Sequence, residues 1–384
     1  MSNGSPGRSS SASRGEARKI LVVVALVQFV IGGWFSWSAS RAAPRELPVV
    51  VAAGVPDVAG ALRAAAPGAY RVEEVPDAAA AEAALRDRKA YGAFVPGARE
   101  GGPELRLAPA ASPAAADALA RQARELPGVR VSRVVDAVPA DPDDPHGAGA
   151  AMGFLPLLIT AVIAGLLLVL KVRDTGARLL GVLGFAVLSG LLSSLMLTQV
   201  SGVLPGGWMV TAGVVALLEL AMVAVITGLG SLVGPPGVAV GAVLMFVVGN
   251  PLSGMGSAPE MLPGVLGTVG QYLPPGAGAT LLRSVGAFGG AGALGPVVVL
   301  VGWAVVGLGL LAVAARRGAG RGRGAGRVAA ARGVSPTPPL PAASDVRLRR
   351  VAGASPRAPF SALRAVSSIA GRADFSPSGG TSQR

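Results

Sequence analysis

The chain has 384 residues, no cysteine, one histidine and a formal net charge of +13, with 51% hydrophobic residues against 14% charged. Without cysteine there is no disulfide and no thiolate nucleophile or ligand, so any folded domain must hold by packing alone. The charge points away from nucleic acid once it is sorted by segment: residues 316–384 hold thirteen arginines against Asp345 and Asp374, a net +11, in a Gly-, Pro-, Ser- and Ala-rich tail that cannot bury a core.

Residues 1–19 read as a disordered basic N-terminus carrying Arg8, Arg14, Arg18 and Lys19. Residues 20–40 carry no charge and form span 1, with Ile20 to Trp37 as its apolar limits. At about 1.5 Å per helical residue this run crosses a hydrocarbon core of about 30 Å. Ser38-Ala39-Ser40 and Ala42-Ala43 also fit a signal-peptide cleavage site, but the length of the run favours an uncleaved anchor.

Residues 41–149 alternate short β-type runs with Ala-rich helical stretches. Strands are expected at Pro48–Ala53, Tyr70–Val75, Tyr91–Val95, Leu105–Ala108 and Val129–Val135. Helices are expected at Val58–Ala65, at Asp77–Lys89 with Asp77 as N-cap, and at Ser112–Glu125 with Ser112 as cap before Pro113. Strands separated by helices imply a small α/β domain. It shows no catalytic set: His146 sits in a connector rather than on a rigid element. Asp141, Asp143 and Asp144 lack the glycine turn and distal glutamate of a calcium loop and read as a polar linker, so no metal or cofactor is expected.

Residues 150–315 hold five further spans: Gly153–Leu170, Leu179–Leu197, Trp208–Val233, Gly237–Leu252 and Leu294–Ala315. Pro-Gly breaks separate them where hydropathy does not. The fifth is short enough to be tilted or re-entrant. Residues 253–293 form an external hairpin before the last span. Cations lie before span 1, between spans 2 and 3 (Lys171, Arg173, Arg178) and after span 6 (Arg316, Arg317). With six crossings these groups share one side, which predicts a multi-pass cell-membrane protein with both termini cytoplasmic and residues 41–149 extracytoplasmic. The Arg-over-Lys bias and the Ala and Gly content fit a bacterial, GC-rich source.

Glu219 stands midway along span 4, where a carboxylate costs several kcal/mol unless it is protonated, paired or facing water. It is a candidate for a substrate or proton path, or a glutamate bonded to Ser or Thr of a neighbouring helix, with Thr211 a partner only at its own helix end. Glu260 and Arg283 in the hairpin read as interfacial anchors or a salt bridge. Gly237–Gly241, Ala161–Gly165 and Ala212–Ala216 are small-residue pairs suited to close helix packing. In the tail, Pro336–Pro341 is a polyproline segment, and Phe360, Leu363, Val366 and Ile369 recur at threes among arginines.

From span 1 to Arg317 the chain resembles the ABC-2 type permease superfamily, and within it the exporter-like membrane proteins that include the phage infection protein group. The helix running through Arg86-Asp87-Arg88 into Tyr91-Gly-Ala-Phe94 is similar to their external domain, and Asp144-Pro-His-Gly147 to their domain-to-membrane junction. Asn250-Pro251, Glu260, Pro263, Pro274-Pro275 and Arg283 are similar to their hairpin before the last span. The resemblance implies a homo- or heterodimeric permease subunit that exports a hydrophobic or amphipathic substrate, powered by a separate ABC ATPase. It also places the ATPase contact between spans 2 and 3, at Lys171, Arg173, Asp174 and Arg178, a loop shorter than the family's pattern. The chain agrees in lacking a phosphate-binding loop, since its three lysines are followed by Ile20, Ala90 and Val172 rather than Ser or Thr. It is therefore not expected to be an enzyme itself. The other reading is a non-transporting envelope protein whose external domain binds a wall component, a protein partner or a phage.

Overall fold

The computed structural model describes residues 7–55, 57–97 and 102–331. The polyproline segment and the Phe360–Ile369 pattern lie outside them. Among the described residues, six helices are long and apolar enough to cross a membrane. They are the Gly15–Ser40 part of α1 (Gly7–Ser40), α5 (Ala148–Lys171), α6 (Thr175–Ser194) with a π-helical turn to Val200, and α7 (Trp208–Val233). The fifth joins α8 (Pro235–Ala242), a π-helical turn and α9 (Gly249–Leu252) into one run of 18 residues; the sixth is the Leu294–Gly318 part of α12 (Leu294–Ala331). Helix α1 starts upstream of the expected span and α12 continues past it. Neither flank contains proline between Gly7 and Lys19 or between Arg316 and Ala331, so nothing interrupts the backbone ladder.

Helix α7 is the axis of the bundle, buried along most of its length. Small residues let its neighbours approach closely. A Cβ on Gly190 of α6 would lie 2.6 Å from the Ala212 carbonyl oxygen and 2.7 Å from the Ala216 Cβ, and one on Gly165 of α5 would lie 2.5 Å from Ile226. The small-residue pairs read from the sequence are thus used within the chain. Helix α1 is different: its side chains from Ile20 to Val30 are exposed. It is tied to the fifth span near its far end, where Trp34 Nε1 donates to the Val247 carbonyl at 2.9 Å.

Between α1 and α5 lies a five-stranded sheet made of β1 (Leu47–Ala52), β2 (Tyr70–Val75), β3 (Gly92–Val95), β4 (Glu104–Leu107) and β5 (Arg133–Asp136), in the order β2-β1-β3-β4-β5. Strand β1 pairs parallel with β2 and β3; β4 runs antiparallel to β3 and parallel to β5. Helices α2 (Val58–Ala65), α3 (Ala78–Arg86) and α4 (Pro113–Arg124) cover it, and Asp57, Asp77 and Ser112 cap them by accepting from Gly60 N, Ala80 N and Ala115 N. β5 begins later than expected. Its partner β4 starts only after Pro103, so Val129 and Val131 pack against the core instead of pairing.

Every residue of β1 is buried, as a central strand covered on both faces requires. Val49 and Val51 enter one core with Leu62 and Leu119; Val50 and Ala52 enter another with Leu85. Both cores take residues from the segment between the last two spans: Ala258 and Met261 join the first, and Phe288 joins the second.

Candidate functional site

That segment, expected as a hairpin, contains three short helical elements. After a 3₁₀ turn at Pro259–Met261 and α10 (Leu266–Gln271), helix α11 (Pro274–Ala287) folds back and packs against α7. A Cβ on Gly278 would lie 2.8 Å from Leu218, one residue before Glu219. Pro274 and Pro275 are buried in the first turn of α11, where their missing N–H groups cost nothing, and Pro275 seats on Gly249. Asn250 and Pro251 lie in α9, where the Asn250 carbonyl accepts from Ser253 Oγ at 2.7 Å. The Pro263 carbonyl accepts from Leu266 N at 3.1 Å, starting α10.

The α/β domain grips this segment through polar side chains. Helix α3 ends sooner than expected: Lys89 N donates to the Ala84 carbonyl at 2.8 Å and Arg88 N to Leu85 at 3.2 Å. This closure puts Arg88 at φ +59°, a left-handed position where glycine is favoured. The side chain at that strained position reaches α11. Arg88 Nη1 donates to the Thr280 carbonyl at 3.0 Å and to Ser284 Oγ, and its guanidinium lies 5.4 Å from the Phe288 ring centroid. Burial lowers its pKa. Close by, Tyr91 Oη donates to Glu260 Oε2 at 2.8 Å. Burial first, and the Glu260 carboxylate second, push the phenol well above its usual value.

Arg283 and Glu260 do not form an ion pair among the described residues. Arg283 Nη2 instead donates to the carbonyls of Met255 (2.6 Å), Gly254 (2.8 Å) and Ser257 (3.3 Å). Burial lowers its guanidinium pKa to about 10, which leaves it charged at neutral pH. Charges expected at an open surface are therefore partly buried between domain and bundle. The main-chain nitrogens of Ala43 and Arg45, just after α1, also bond to this segment, at Met261 O (3.0 Å) and Glu260 O (2.9 Å).

Inside the bundle, Glu219 is 0% exposed. Its Oε1 accepts from Ser189 Oγ of α6 at 3.3 Å; its Oε2 is buried with no partner among the described residues. Thr227 Oγ1, two turns further along the same helix, is likewise buried and unpartnered. The neighbouring-helix partner is Ser189, which the sequence reading did not name; Thr211 is buried near the start of α7. Three serines, Ser189, Ser193 and Ser194, lie in the apolar run of α6, and nothing in the sequence separates Ser189 from the other two.

At the α5–α6 turn, Asp174 caps α6 by accepting from Ala177 N at 2.7 Å. Arg178 turns inward: Nε donates to the Val172 carbonyl at 2.7 Å, Nη2 to Val169 at 3.0 Å and Nη1 to Ser231 Oγ at 2.8 Å. It satisfies the C-terminal carbonyls of α5 and ties them to α7. Lys171 and Arg173 are exposed. His146 is exposed, and no group of three His, Asp or Glu able to hold a metal occurs among the described residues. No family model, curated protein or solved structure matches this chain.

Proposed function

We propose that the chain is the permease subunit of an ABC-2-like exporter, moving a hydrophobic or amphipathic substrate outward with a separate ATPase as its power source. Glu219 carries this reading. A carboxyl group buried midway along the central helix costs several kcal/mol. Ser189 bonds only one of the two Glu219 oxygens, and the Oε2 left without a partner among the described residues is what this reading uses. The linkage around it also fits transport: Arg88 bonds the α/β domain to α11, and α11 packs on α7 beside Leu218 and Glu219. Events at the domain thus have a contiguous path to the carboxylate.

The cations at the ends of α1, α5, α6 and the last span support an orientation with residues 41–149 outside and both termini in the cytoplasm. Lys171 and Arg173 are then the exposed charges offered to the ATPase, and a second permease chain completes the assembly. The test is purification of the tagged chain from native membranes in mild detergent. A co-purifying ATPase whose deletion reproduces the phenotype of losing this chain supports the reading; neither result obtained would remove it. Glu219→Gln with unaltered export and abundance would remove the role given to that residue.

A further inference from the structure

Where the α/β domain meets the bundle there is a cavity of about 70 Å³, roughly five times the space one water requires. Most of its lining is apolar, with Pro113, Val203, Leu204 and Leu282 among the walls. Charge enters from two sides only: Arg283 on α11, and Asp141 with Asp144 on the connector before α5.

These opposite charges share one cavity without pairing; among the described residues no ion pair joins Arg283 to either aspartate. Their other bonds show what is left over. Asp144 is fully engaged, with Oδ1 accepting from Gly149 N at 3.0 Å and Oδ2 from Ala150 N at 2.7 Å, so the N-terminus of α5 compensates it. Asp141 uses Oδ1 alone, accepting from Asp143 N at 2.9 Å. Arg283 uses Nη2 alone, and its Nε and Nη1 make no hydrogen bond among the described residues. A half-used guanidinium and a half-used carboxylate therefore border one apolar space. Neither the unused Arg283 nitrogens nor the unused Asp141 oxygen is among the buried unpartnered atoms, so both stay reachable from the cavity, and a molecule that carries both complements would engage them together.

We propose that this cavity binds a small zwitterion with an apolar body, of the class of the apolar α-amino acids. Its carboxylate sits on Arg283, its ammonium on Asp141 and its side group against the apolar walls. A simple anion would leave Asp141 uncompensated, and a simple cation would meet Arg283. The site is independent of the permease reading, since a non-transporting envelope protein would carry it equally.

The test uses the full chain in a neutral maltoside detergent and three probes with one side group and different charge: L-leucine, N-acetyl-L-leucine and L-leucinamide. Calorimetric titration should give leucine the highest affinity, with the two singly charged analogues weaker by at least about tenfold. Asp141→Asn, on the partly exposed connector, should weaken leucine by about tenfold and leave N-acetyl-leucine unchanged. Ala287→Leu fills the cavity without touching either charge and should abolish leucine binding. No binding of leucine at millimolar concentration, equal binding of the three probes, or wild-type affinity in either variant would overturn the proposal.

Discussion

Arg88 occupies a backbone position that favours glycine, and the reason lies in its side chain. At φ +59° a non-glycine residue is strained by about 1 kcal/mol. The guanidinium offsets this with two bonds to α11 and a place over Phe288. The two effects separate by substitution. Arg88→Gly should relieve the strain while losing the contacts, and Arg88→Ala should lose the contacts while keeping the strain. Arg88→Ala is therefore expected to be the less stable variant by about 1 kcal/mol in denaturant titrations. Equal losses would mean that the backbone there is unstrained.

Tyr91 supplies a test by pH. Its folded-state pKa lies above the ordinary 10.0, chiefly through burial and then through Glu260. As pH rises past 10 the unfolded chain sheds the proton while the folded chain keeps it, so stability present below pH 10 is lost above it. Tyr91→Phe costs about 1 kcal/mol at neutral pH through the missing bond to Glu260. Its decline above pH 10 should be shallower than that of the wild type; parallel declines would show that the phenol does not contribute.

Elements were legible in proportion to how local their causes are. Asp77 and Ser112 announce α3 and α4 because a cap acts within one turn, and uncharged runs announce the six long helices because length and composition suffice. The start of β5 was not legible, since it depends on where β4 begins. Nor was the course of α11, whose fold-back onto α7 is set by Gly278 meeting Leu218 and Gly249 meeting Pro275 across the sequence. The same cause hid Ser189 as the partner of Glu219 and Arg88 as the link between domain and bundle. Gly278→Leu should push α11 from α7 at a cost of about 1–3 kcal/mol. Faster amide exchange should then appear both in α11 and in residues 78–95 of the domain bonded to it; a change confined to α11 would show that the two are not mechanically linked.

At the scale of the molecule, the six helices, the domain and the segment joining them form the frame that the export reading needs, and orientation is its first requirement. The absence of cysteine makes that measurable. A single cysteine at Arg63, exposed on α2, should react with an impermeant maleimide in intact cells, while one at Arg173 should react only after permeabilisation. The central claim, that an ATPase drives this bundle from the α5–α6 turn, is tested most directly by a photo-crosslinking residue placed at Arg173 in native membranes. The account predicts a covalent adduct with a nucleotide-binding subunit that has no membrane spans. Adducts with lipid alone, from a chain that is folded and abundant, would contradict it.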